Sequence, residues 1–266
     1  MSLTLSAFDR KERQRDTSRY SDAYLDTVKV DNVFFLNDYM LIGFEAGFGF
    51  SSMNFNPAFN QSWRRFPEHY EITFTRYSKM FGNMMPFFGL KIGVSYSHEG
   101  YLMKMNEETG YIGSISGATE CQYDIVEVPF LSHFHYDWPN FKILGDLGPY
   151  AAKRMRIERI GDSVEDDIRH SFLDSDRRFD YGLRAAAGFA FVFDPVELHI
   201  TAKARYSFSN LYAPDYMSPY YYSYAYPLDI MVTAGLHFQL SKKIGKTKSA
   251  LKKEAYRTVF GEETDK

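Results

Sequence analysis

The chain has 266 residues, a formal net charge of −3, and 18% aromatic residues, with 24 Phe and 21 Tyr against 2 Trp. That charge balance gives no electrostatic case for nucleic-acid binding. No stretch approaches the run of about 18 apolar residues that a membrane helix needs. Cys121 is the single cysteine, which excludes a disulfide framework and a thiolate metal site. High aromatic content with negative mean hydropathy suits a transmembrane β-barrel, whose strands carry their apolar residues at every second position.

Residues 1–38 read as a flexible polar lead-in, a signal remnant or a tag. The first strand is predicted over Met40–Phe55, where Ile42, Phe44, Ala46, Phe48 and Phe50 alternate with Gly43, Glu45, Gly47, Gly49 and Ser51. Glycines on the second set imply curvature or close packing inside. A less regular strand follows at Glu68–Met80, with a turn at Gly82-Asn83. A third spans Phe87–Ser97, then a long loop covers His98–Gln122. Tyr123–Asp137 is the fourth strand, and Pro129, which cannot donate to a ladder, predicts a bulge there. Phe141–Met155 is the fifth, followed by a charged loop over Arg156–Arg178. Phe179–Asn210 is the clearest hairpin: Asp180, Gly182 and Arg184 alternate with Phe179, Tyr181 and Leu183, and after Asp194-Pro195 the pattern resumes. A tyrosine-dense loop covers Leu211–Tyr226, the eighth strand Leu228–Leu240, and residues 242–266 form a Lys-rich tail assigned to the periplasm.

Connections after the second, fourth and sixth strands are short, and those after the odd strands are long. This is the layout of an up-and-down outer-membrane barrel. The fold expected over residues 39–241 is therefore all-β: a closed antiparallel transmembrane β-barrel of about eight strands with a polar, plugged interior. A sandwich would hide the Phe-rich face between sheets, and periodicity alone does not separate the two. Aromatics near strand ends, such as Tyr39, Tyr96, Tyr136, Trp138, Tyr181 and Tyr206, favour interfacial girdles and hence the membrane.

Several segments resemble one family. Glu127-Val128-Pro129-Phe130-Leu131 is similar to the E-I-P-L-L strand of the PorT-like outer-membrane β-barrel proteins of Bacteroidetes. Gly145-Asp146-Leu147-Gly148-Pro149-Tyr150 resembles the G-x-x-G-P-Y strand that follows it there. Phe179-Asp180-Tyr181-Gly182-Leu183 with Ala187-Gly188, and Ala204-Arg205-Tyr206-Ser207, look like that family's sixth and seventh strands. The resemblance runs from about Met40 to Leu240 and implies an eight-stranded integral outer-membrane barrel. The Lys-rich segment after Leu240 departs from family barrels, which tend to end at an aromatic last strand.

The inward ionisable set expected to pair across the bore is Glu45, Lys91, Glu127, His133, His135, Lys142, Asp146, Asp180, Arg184, Glu197, His199, Lys203, Arg205 and His237. Unpaired charges in so confined a space are costly. Asp180 is expected to pair with Arg184, and Glu197 with a nearby Lys or Arg. His133 and His135, two apart near Glu127 and with His199 across the barrel, have spacing that permits a metal, but no metal, cofactor or catalytic residue is assigned. Gly43-x-x-x-Gly47-x-Gly49 lies within a strand and so is not a phosphate loop. Tyr216, Tyr220, Tyr221, Tyr222, Tyr224 and Tyr226 are the candidate loop-binding residues, since tyrosines supply rigid amphipathic contact area. The expected partners are outer-membrane lipid and envelope or secretion proteins, and the expected role is structural or recognitional. The alternatives are a soluble lipocalin-like barrel holding an apolar ligand, and a barrel enzyme acting on lipid or peptide.

Overall fold

The computed structural model describes residues 39–56, 58–77, 87–108, 110, 112–138, 140–213 and 224–241. Eight long strands follow one another in chain order: β1 (Met40–Asn56), β2 (Arg64–Tyr77), β3 (Phe88–Met103), β4 (Glu120–Asp137), β5 (Phe141–Ile160), β6 (Phe179–Phe193), β7 (Val196–Ser207) and β8 (Tyr224–Gln239). A two-residue spur, Gln61–Ser62, pairs with the end of β3. Each long strand pairs antiparallel with its sequence neighbour, and β8 pairs with β1 from Leu41↔Gln239 to Asn56↔Tyr224. The sheet therefore closes and leaves no edge, as hydrocarbon demands of backbone groups that have no water to bond. No helix among the described residues is long and apolar enough to cross a membrane; the crossing is made by strands.

The apolar set faces outward. Phe44 and Val128 are 50% and 45% exposed, whereas their neighbours Glu45 and Glu127 are 3% and 0% exposed. Phe48, Phe189 and Phe191 are likewise on the outer wall. This overturns the lipocalin-like alternative, which requires those rings inside.

The strands run further than alternation of outward apolar residues predicts. β3 continues to Met103 and β4 begins at Glu120, so both ends of the segment expected as a loop over His98–Gln122 are strand. β5 reaches Ile160, and β8 starts at Tyr224. The reason is an inversion. On β1 the inward residues pass from Glu45 and Ser51 to Met53 and Phe55, while the outward ones pass from Phe50 to Ser52, Asn54 and Asn56. Above the apolar band the outer face meets water, so the oily side turns inward. There Met53, Phe55, Tyr101, Met103, Cys121, Tyr123, Ile157, Leu211 and Ala225 pack into one buried cluster, with Phe59, Ile115, Phe172 and Tyr212 against it.

Three smaller expectations are corrected. β2 begins at Arg64, earlier than Glu68, and its described part ends at Tyr77. β7 ends at Ser207, short of Asn210. No bulge occurs at Pro129, which stands opposite Tyr150 in unbroken register; the shift on β4 lies at Asp124/Ile125. Losing one ladder donor costs less than slipping the register, which would turn the apolar face of the strand inward. The lead-in, the Gly82-Asn83 turn, Tyr216, Tyr220, Tyr221, Tyr222 and the Lys-rich tail lie outside the described residues.

Candidate functional site: the charged bore

Alternation aims one face of every strand into the barrel. An eight-stranded barrel is narrow enough for those side chains to reach each other, and glycines clear room where two would collide. A Cβ on Gly43 would lie 2.2 Å from the His237 ring, and one on Gly235 would lie 2.5 Å from Cγ of Glu45. The space so released is occupied by the His199 and His237 imidazoles, which stack with centroids 3.6 Å apart.

At the short-turn end, Tyr39 donates to Glu197 at 2.7 Å and Lys142 donates to the same carboxylate at 2.8 Å. The Lys142 ammonium sits 4.8 Å from the Tyr39 ring centre and 4.7 Å from that of Tyr77. His199 lies 3.1 Å from the other Glu197 oxygen. His135 Nδ1 is 2.7 Å from Asp137, and His133 bridges Asp146 and the Tyr77 hydroxyl.

Further up, cations and carboxylates alternate in one continuous chain. Lys91 contacts Glu45 at 3.0 Å and Asp146 at 3.3 Å. Lys203 contacts Glu45 at 2.6 Å and Glu71 at 2.5 Å. Arg184 joins Glu71 to Glu127, the latter at 2.7 Å. Arg205 then reaches Glu127 at 3.0 Å, Asp229 at 2.7 Å and Glu99 at 3.3 Å. Arg154 pairs with Glu99 and lies 3.5 Å from Asp180. All of these side chains are buried. Since Glu45, Glu71 and Glu127 each sit between two cations, Coulomb attraction on both sides offsets the desolvation that would otherwise make buried charge prohibitive.

Glu197 thus finds a lysine, as expected, but the Asp180–Arg184 pair does not form. Asp180 accepts from Tyr150 at 2.8 Å and from the Ser207 hydroxyl, and its ion-pair partner is Arg154. Four residues along a strand is about 13 Å, so partners across the bore are nearer than partners up the same strand. Tyr224 and Tyr226 belong to β8 and stack at 6.1 Å, so they are wall residues at the rim.

Glu71, Glu99, Arg154 and Asp229 are central to the network and absent from the set chosen by sequence. Glu99 fell in the segment expected as a loop, and the alternation around Glu71 is blurred by the bulge on β2. Counting by twos from Asp146 reaches Arg154, and from His237 reaches Asp229, so both were within reach of the pattern. Among the described residues no group of three His, Cys, Asp or Glu side chains is arranged to hold a metal ion; His133, His135 and His199 are instead each bonded to a carboxylate.

Among solved structures, the Neisserial surface protein A is similar at 12% identity, over 75% of this chain and 96% of that one, with a TM-score of 0.44. OprG from Pseudomonas aeruginosa is similar at 11% identity, over 78% and 98%, with a TM-score of 0.45. Ail of Yersinia pestis is similar at 13% identity, over 75% and 99%, with a TM-score of 0.39. No curated protein matches the chain. The family model described as an outer membrane protein beta-barrel domain matches residues 15–211, and the chain belongs to that family as an integral outer-membrane β-barrel.

Proposed function

We propose that this barrel is a closed, non-conducting scaffold of the PorT-like branch, non-catalytic, whose long-loop end faces outward and carries recognition within an envelope or secretion assembly. The observation that carries the reading is the occupied bore. An alternating ion-pair chain extends from Lys91 to Asp180, and an apolar cluster covers its long-loop end. Side chains that pair with each other across so narrow a bore leave no path for solute, so activity falls to the surfaces at the ends.

Two external segments support that division. Arg159 donates to the carbonyls of Ile168 and Ser171 and pairs with Asp176. Asp176 and Tyr212 bridge two different connections. The long loops are thereby anchored to the barrel and can present a shaped surface. Reconstitution in planar bilayers tests closure: no unitary conductance is expected, and a steady open channel would overturn the reading. Replacing Tyr220, Tyr221 and Tyr222 by serine, with Tyr224 and Tyr226 left in the wall, tests recognition. Partner capture from envelope extracts should fall while barrel assembly is unchanged; unchanged capture would remove that segment as the recognition element.

A further inference from the structure

The upper end of the ion-pair chain is short of one positive charge. Glu99 on β3, Asp180 on β6 and Asp229 on β8 are all 0% exposed, and two guanidiniums serve them, Arg154 and Arg205. Arg205 is shared further with Glu127. Among the described residues no lysine or histidine pairs with any of the three carboxyls; the histidines that meet a carboxylate meet other ones. Asp229 stands opposite Ser51, where the outward residues of β1 pass from Phe50 to Ser52. This tier therefore lies at the upper margin of the apolar band, beneath the cluster that holds Met53 and Tyr101. An uncompensated charge buried there is the expensive case, and a carboxylate so placed takes up a proton instead.

The hydrogen bonds say which of the three it is. Glu99 receives a guanidinium on each oxygen, Arg154 on Oε1 and Arg205 on Oε2. Asp180 also has donors on both oxygens: Tyr150 on Oδ2 at 2.8 Å, and the Ser207 and Ser209 hydroxyls on Oδ1. Asp229 takes both of its Arg205 bonds on Oδ2, at 2.9 and 2.7 Å. Its Oδ1 is buried and accepts no hydrogen bond. Beside this carboxyl stands the Ser51 hydroxyl, which accepts from the Gly100 N–H at 2.9 Å and has a second lone pair to offer.

We propose that Asp229 holds a proton on Oδ1 in the folded barrel, directed at Ser51, and that this proton is the missing counter-charge of the upper tier. The inference rests on the closed-bore reading, because a carboxylate in a water-filled channel needs no such proton. Its consequence is a pH-dependent lock. Asp229 is neutral in the fold and ionised in the unfolded chain, so unfolding releases a proton, and this contribution to stability falls as pH rises above the ordinary carboxylate range.

Urea unfolding of the full-length barrel in micelles tests it, with the unaltered protein and Asp229→Asn run in parallel from about pH 5 to about pH 6.5. Asparagine keeps the shape and the acceptor for Arg205 and cannot ionise. Groups common to both proteins cancel in the ratio of their unfolding constants. That ratio, unaltered over variant, should rise about tenfold per pH unit, the linkage of one proton. A flat ratio overturns the proposal. Glu127→Gln is the control, because Glu127 sits between Arg184 and Arg205 and is ionised in the fold; the same slope there would overturn the assignment to Asp229. Infrared spectra within that pH range read the proton directly. A protonated-carboxyl carbonyl band should be present in the unaltered barrel and lost in Asp229→Asn. Its absence from the unaltered barrel, its survival in the variant, or failure of the variant to fold overturns the proposal. Conductance in planar bilayers separates the two readings: a closed bore without the band removes the proton alone, and an open channel without it removes both.

Discussion

On β1, Glu45 looks into the bore and Phe44 looks out; at the far end of the same strand, Phe55 looks in and Asn54 looks out. The two regions share one sheet and one alternation, and their interiors are opposite in character. Within the apolar band, the surroundings are lipid, so burying charge inside is tolerable only when each ion has partners of opposite sign. Above the band the surroundings are water, and the interior reverts to packed hydrocarbon and aromatic rings. The lower interior is held by pairwise electrostatics between specific atoms, the upper by area and shape. Substitutions in the two should therefore fail differently.

The largest effect is expected in the bore. Arg184→Met leaves Glu71 and Glu127 each short of one cation, and loss of one partner from a buried pair costs about 3–5 kcal/mol. Urea unfolding in micelles should show the whole barrel destabilised by that amount, and a change under about 1 kcal/mol would mean the network is hydrated. In the cap, Ile157→Ala removes a fully buried side chain from the apolar cluster and should cost about 2–5 kcal/mol. That loss should be local: protease cleavage within Gly161–Arg178 should accelerate while the membrane-embedded core stays intact. Global unfolding with no change in loop cleavage would show that the cap and bore are one cooperative unit.

The outer wall supplies the smaller contrasts. Leu147 faces out near the middle of β5, and Leu147→Arg places a cation at mid-bilayer for about 2–4 kcal/mol. Asn54→Arg, above the band on an exposed position, should cost about 0–1 kcal/mol. Equal costs for the two, read from parallel unfolding titrations, would put the band boundary in the wrong place.

The hairpin Phe179–Ser207 was legible because outward apolar residues alternate there without interruption with inward small, polar or charged ones. The ends of β3, β4, β5 and β8 were not, because their oily residues had moved to the other parity. A search for outward apolar residues sees such a stretch as loop, as happened with Tyr101, Met103 and Cys121. Glu99 disappeared with them, although it sits at the junction of Arg154 and Arg205. The metal spacing at His133 and His135 was a property of one strand face; the His133 ring meets Asp146, its register partner on β5, and the His135 ring meets Asp137 two residues further along β4.

Local chemistry determined which residues share a face of each strand, because side-chain parity is fixed by the backbone of a strand and needs no knowledge of distant segments. It determined the antiparallel order too, through the alternation of short and long connections. Which ion meets which was decided only on closure. Lys91 finds Glu45, and Lys203 finds Glu71, across large sequence separations, because the circumference and stagger of the closed sheet set which inward positions share a level. No local pattern contains that information, and it is what turns a list of charges into a paired network.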